Sequence, residues 1–309
     1  MVSVVKSRNH ENTQNNTNEE FDPSNVFQVA KIIFYTAFAL VAFAFNSILC
    51  RLALRTDEID AASFTAIRLV SGAVTLALIG YFFSNTKLSQ RGNWFSAFFL
   101  FAYAICFSFA YIGLTAGTGA LILFGCVQLT MIIASLLKGE WPNPLEWAGL
   151  AIALFGLVYL VFPGLSSPPL MSSVLMASAG IAWGFYTLRG KGSSDPLGDT
   201  AGNFMRAVPM IALASLPFLS AVHLSNRGIL LAVLSGAVTS GIGYTVWYAV
   251  LKHHTSTRAA VLQLAVPVLT ACIGVAFLSE AAWFRLLIAA AMILGGIALT
   301  IAGRKTVMP

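Results

Sequence analysis

The sequence predicts an all-α integral membrane protein whose ten transmembrane helices form two inverted five-helix repeats. Three observations lead there. Of the 309 residues, 58% are hydrophobic and only 10% charged, with a mean hydropathy of +0.80. Soluble domains carry about 25% charged residues, so most of this outer surface must face lipid. The apolar residues come in blocks the length of a membrane helix, about 18 to 24 residues, and a barrel strand would need only about 10 alternating ones. The chain also repeats itself at an offset of 138 to 140 residues, five blocks to each copy.

Residues 1–30 are the predicted cytoplasmic tail. The stretch 1–28 is rich in Asn and Glu and has no apolar core, which predicts disorder and no signal peptide. The first repeat, 31–162, holds predicted helices at 31–54, 61–83, 94–113, 118–137 and 145–162. Their separators are punctuated as connections should be, by "RTDEID", "SNTKLSQRGN", "LTAGT" and "KGEWPNP". "FPGLSSPPL" joins the halves, and the second repeat, 171–303, follows with helices at 171–189, 200–222, 228–251, 258–279 and 281–302. Its separators are "KGSSDPLGD", "LSNRG", "KHHTST" and "LSE". No connection is long enough for a soluble domain.

Lys and Arg predict the orientation. With alternate loops on opposite sides, twelve of the 18 fall on the side of the N-terminus, and Arg51, Arg55, Arg227 and Arg285 fall on the other. That bias places both termini in the cytoplasm of a cell that carries the protein in its inner membrane. The net charge of +6 is then an expression of topology and not a nucleic-acid surface.

The remaining two cations, Arg68 and Arg206, lie inside apolar blocks and are 138 residues apart, as are Arg51 and Arg189. Further on, Thr130 lies over Thr270, Glu140 over Glu280 and Gly156 over Gly296 at an offset of 140. Five spans per copy is odd, so the second copy inserts upside down relative to the first.

These features resemble the EamA family of the drug/metabolite transporter superfamily. The likeness covers residues 30–303: two five-helix repeats, an Arg in the second helix of each, and "KGE" and "LSE" closing the fourth. There are departures. The first copy has "VQLTM" where the second has "VPVLT" with Pro267, and Trp183 and Gly184 replace Phe45 and Asn46. The resemblance implies export or exchange of a small solute.

The chemistry at membrane depth narrows the solute. Every carboxylate falls in the tail, a loop or a helix end, so no counter-charge exists for a cationic drug or a proton relay. Arg68 and Arg206 must avoid lipid, where a mid-helix Arg costs at least about 2.5 to 3.5 kcal/mol. Their forked donors suit carboxylate or phosphate. Three roles stay open for them: contact with a solute such as an amino acid, structural pairing with Asp60 and Asp199 respectively, or gating contacts between halves. Asn46, Gln128 and Gln263 are intramembrane amides that either face solute or bond a neighbouring helix. Trp183 with Tyr186, and Tyr244 with Trp247 and Tyr248, form aromatic stripes that either stack on solute or pack.

No metal or cofactor site is predicted. His253 and His254 read as solvated, and Cys50, Cys106, Cys126 and Cys272 as packing residues. A membrane enzyme would need a nucleophile and base at one depth, and none is present. A channel-like or receptor-like protein is the alternative to a carrier. The Gly/Ala-rich last helix offers a packing face to a neighbouring helix or to a second subunit in a homodimer.

Overall fold

The computed structural model describes residues 23–83, 91–137, 143–161, 167–191, 193–251, 253, 262–263, 265–281 and 284–303. They are helical almost throughout. The helices are α1 (Pro23–Arg55), α2 (Ala61–Phe83), α3 (Trp94–Tyr111), α4 (Ala116–Leu137), α5 (Pro144–Val161), α6 (Leu170–Gly190), α7 (Pro196–Ser215), α8 (Asn226–Leu251), α9 (Ala265–Leu278) and α10 (Phe284–Gly303). Among the described residues, seven segments are long and apolar enough to cross a membrane: α1 to α4, α6, α7 extended to Ala221, and α8. α5, α9 and α10 are shorter apolar helices.

Local chemistry sets several boundaries. Asn93 caps α3, its side chain accepting from Ser96 N at 2.9 Å, and Asp195 caps α7 by accepting from Gly198 N at 3.0 Å. Pro217 ends α7 as an α-helix, and the chain tightens into a 3-10 turn over Leu216–Ala221 before α8. α8 itself is interrupted: Ser235–Ile242 is wound as a π-helix, a feature that no apolar periodicity announces.

The packing pairs are α5 on α10, α3 and α4 on α6, α2 on α7, α8 on α1 and α2, and α9 on α1 and α4. The glycine face of the last helix is used within the chain. A Cβ on Gly149 of α5 would sit 2.4 Å from Gly296 O of α10, so only glycine permits that approach. Exposed Phe, Val, Leu and Ile side chains cover the outside of the bundle, consistent with a lipid-facing surface.

The connections gather at two ends. At the first end, the α1–α2 turn meets the α7–α8 turn: Ile59 bridges Leu224, Asp60 N donates to His223 O at 3.1 Å, and Arg227 pairs with Glu58 at 3.3 Å. The α9–α10 turn joins them there, because Glu280 pairs with Arg51 at 3.2 Å and accepts from Ala116 N at 2.8 Å, and Arg55 donates to Leu278 O. At the second end, Arg91 of the α2–α3 connection lies 3.7 Å from Asp195 of the α6–α7 turn. Arg189 there donates to Ser96 Oγ at 3.0 Å and Asn93 Oδ1 at 3.1 Å.

Candidate functional site

Arg68 lies at the centre of the bundle, 1% exposed. Its Nη2 donates to the hydroxyls of Tyr103 and Tyr244, both at 3.0 Å, and its Nε donates to Ser240 Oγ at 3.1 Å. The guanidinium also lies over the rings of Phe107 (4.9 Å) and Tyr103 (5.1 Å). Every partner is neutral. Nη1 is buried and has no hydrogen-bond partner among the described residues. A buried cationic N–H left unbonded is costly, so this atom marks where an acceptor belongs.

Asn46 organises the other side of the cluster. Its Oδ1 accepts from Ser235 Oγ (2.8 Å), Thr239 Oγ1 (3.2 Å) and Ser240 Oγ (3.5 Å), and its Nδ2 donates to Tyr103 OH at 3.1 Å. The π-helical turn of α8 is what brings these three hydroxyls to one amide. Gly236 lets that turn press against α2, since a Cβ there would fall 2.1 Å from Arg68 O.

Aromatic rings wall the cluster. Trp183 sits 4.7 Å from Tyr244, 4.8 Å from Tyr103 and 5.5 Å from Tyr186, and Phe43 packs on Tyr244 and Trp247 at 5.7 Å. Between them is a cavity of about 10 Å³ lined by Asn46, Tyr103, Trp183 and Tyr244. That is roughly room for one water centre. Tyr186 continues outward to Tyr248 at 6.2 Å, where a cavity of about 40 Å³ and then one of about 320 Å³ lead to the second end, past Asn203, Arg189, Lys191 and Asp195.

The structure thus brings Arg68, Asn46, Trp183, Tyr186, Tyr244, Trp247 and Tyr248 into one connected region. Gln128 and Gln263 are buried but do not line the central cavity. Arg206 is elsewhere. It is half-buried near the second end and donates to Arg91 O at 2.6 Å and to Gly202 O at 2.9 Å. The pairing considered for Arg68 with Asp60 is not what forms. Asp60 instead accepts from Ser63 N and His223 N, and Asp199 from Gly92 N and Ser193 Oγ. Asp60 is drawn to two backbone N–H groups, one at its own helix end and one in the α7–α8 turn, and Asp199 to one backbone N–H and one hydroxyl. His253 follows α8, its N–H bonded to Val250 O, and His254 lies outside the described residues.

Two members of the cluster escaped the sequence reading. Tyr103 sits in the apolar run "LFAYAICF", and Ser240 in a glycine-rich run read as packing. The repeat gave no signal for Tyr103 either, because it precedes Tyr244 by 141 residues, outside the offsets of 138 to 140. A cavity of about 530 Å³ between α4, α9 and α10 holds none of these groups. Its walls are apolar, and its carboxylate, Glu280, is already paired with Arg51.

A buried arginine in a small polar box inside a bundle of membrane-length helices fits a membrane transporter. The model of the EamA-like transporter family matches residues 30–162 and again 170–302. The chain belongs to that family. Among proteins of this kind, an uncharacterized protein of Pseudomonas aeruginosa is 47% identical over 274 residues, covering 89% of this chain and 96% of its own length. An uncharacterized transporter of Archaeoglobus fulgidus is 29% identical over 63% of this chain and 71% of its own. The uncharacterized transporter YoaV of Bacillus subtilis is 22% identical over 76% and 85%. A solved crystal structure sharing 22% identity superposes with a TM-score of 0.64, covering 86% of this chain and 97% of the other, which shows a common fold.

Proposed function

We propose that this EamA-like protein is a secondary transporter of a small carboxylate-bearing solute, an amino acid fitting best, and that Arg68 holds the carboxylate. The observation that carries the reading is the buried, unpartnered Nη1 of Arg68, on a guanidinium held by Tyr103 and Tyr244, which with Trp183 also wall the central cavity. A carboxylate at Nη1 would complete a charge-assisted bond. Asn46 and Tyr244 orient the cation, and Trp183 packs on the solute's side chain. Tyr186 and Tyr248 line the approach, Trp247 backs the aromatic wall through Phe43, and Gln128 and Gln263 serve helix packing. Arg206 serves the second end.

The proposal includes ten spans in two inverted halves, 31–162 and 171–303, rocking about this centre. Its support is the pairing of turns. The first turn of the first half, α1–α2, contacts the second turn of the second half, α7–α8, at one end. The α2–α3 connection contacts the α6–α7 turn at the other. Copies that point opposite ways produce that pattern. The surplus of Lys and Arg makes the second end cytoplasmic, so the vestibule past Tyr248 opens to the cytoplasm of a cell carrying the protein in its inner membrane. The small volume of the centre, with the Arg51–Glu280 pair on its first-end side, supports a carrier over a channel.

Proteoliposomes bearing the full chain test this. Preloading with a pool of amino acids and small organic acids should drive saturable counterflow of labelled pool, abolished by Arg68→Gln. A flux that neither saturates nor shows counterflow would indicate a pore. Labelling of single cysteines at Lys87 and Arg227 should occur from opposite sides of the membrane.

A further inference from the structure

Among the described residues, no carboxylate pairs with the cation at the centre. Among the described residues, Asp57, Glu58, Asp60 and Glu280 lie at the first end, with Glu58, Asp60 and Glu280 engaged there. Asp195 and Asp199 lie at the second end, and Glu146 is in the first turn of α5. Glu140, outside the described residues, falls at a loop in the sequence. The titratable groups facing Arg68 are Tyr103, Tyr244 and Cys50. Arginine, unlike lysine, does not discharge by losing its proton. The charge on Arg68 is therefore permanent, and only an incoming anion can compensate it.

Resting on the transporter reading, we infer that the protein is an obligatory exchanger of carboxylate solutes. Alternating access requires the centre to pass through a state closed to water at both ends. With solute bound, the passage carries an ion pair. Without it, the guanidinium crosses the same dry state with Nη1 unbonded and its charge set against neutral hydroxyls. Desolvating an unpaired ion is far costlier than desolvating a hydrogen-bonded pair. Three neutral hydrogen bonds and two ring faces lower that cost without cancelling the charge. The unloaded return is then the slow step, and a solute waiting on the far side removes it. Net movement of one solute requires the opposite movement of another carboxylate.

Reconstituted full-length protein tests this with a defined probe, an equimolar mixture of uniformly labelled standard amino acids outside the vesicle. One set of vesicles is preloaded with the same unlabelled mixture, the other with potassium chloride. Initial uptake should be at least about tenfold faster into the amino-acid-loaded set, a ratio equivalent to about 1.4 kcal/mol between the two return barriers. Equal uptake in both sets overturns exchange while leaving carboxylate transport standing. Uptake in neither set overturns the transport reading and exchange with it. Arg68→Lys puts there a cation that can discharge by losing its proton and should lower the ratio toward unity, and any uptake surviving in Arg68→Gln should lose its dependence on internal solute. If Arg68→Gln does not insert, the wild-type ratio and the lysine variant still decide the matter.

Discussion

Arg68 and Arg206 stand at matching places in two copies of one helix, yet they end in different chemistry. Arg68 is the eighth residue of α2 and Arg206 the eleventh of α7, because Pro196 and the Asp195 cap start α7 early. The guanidinium of Arg206 reaches back to Gly202 O and to Arg91 O and holds the α2–α3 connection. That of Arg68 meets two tyrosines and a π-helical turn. Internal repetition preserves backbone placement. What surrounds each side chain is decided by non-equivalent neighbours, and only α8, not α3, has the π-turn.

The sharpest way to break this contrast is to remove each cation. Arg68→Gln should weaken solute binding by at least about 30-fold, the scale of losing one partner of a buried charge pair, with transport abolished and membrane insertion retained. Arg206→Gln should leave solute affinity within about threefold while lowering stability. A comparable loss of transport in both variants would restore them to equivalent roles.

Next in size are the two hydroxyls on Nη2. Tyr103→Phe and Tyr244→Phe each leave one acceptor, so either alone should be mild. Together they leave Nη2 with neither tyrosine, and the double variant should exceed the sum of the singles by about 0.5 to 3 kcal/mol in binding or unfolding. Strict additivity would show that the two tyrosines do not share the cation.

How much of this was readable beforehand differs between backbone and site. The all-helical character and the seven membrane-length helices follow from apolar length and the punctuation between blocks, since lipid allows few alternatives. Arg68, Asn46, Trp183 and Tyr244 stood out because a polar or large aromatic residue within such a block needs a partner. Tyr103 did not, because a tyrosine among phenylalanines carries no local signal of where its hydroxyl points. The π-turn at Ser235–Ile242 was also hidden, since its extra residue per turn is stabilised by contacts with Asn46 and α2 rather than by local propensity. The pairing of Arg68 with Asp60 failed for a related reason: proximity along a helix says nothing about the nearer backbone donors that Asp60 finds.

A smaller effect separates the two ends of the bundle. Glu280 is nearly buried, pairs with Arg51 and accepts from Ala116 N, so it ties α1, α4 and the α9–α10 turn together at the first end. Glu280→Gln keeps the size of the side chain and removes its charge, and should lower unfolding stability by about 1 to 3 kcal/mol. It should also raise labelling of a cysteine placed at Ser47, beside the central cavity, from the Arg227 side. The second end carries the more exposed Arg91–Asp195 pair, and Asp195→Asn should cost less than about 1 kcal/mol there. Equal costs at both ends would remove the asymmetry that makes the first end the seal.

The smallest effect concerns Asp60, which caps α2 through Ser63 N at 2.8 Å and clips the α7–α8 turn through His223 N at 3.1 Å. Partial burial alone would raise its pKa, but the hydrogen bonds from Ser63, His223 and Ala62 outweigh it and hold the carboxyl below its ordinary value. A carboxyl so depressed contributes stability above its unfolded pKa of about 4, and loses that contribution as the pH falls through the folded value. Asp60→Asn should therefore unfold at a lower temperature than the wild type across pH 5 to 8, and the gap should close below about pH 4. The group is only partly buried, so solvent screening keeps the gap small. A gap that persisted unchanged into acid would mean that the cap works through hydrogen-bond geometry alone, and that the charge of Asp60 plays no part in holding the first end closed.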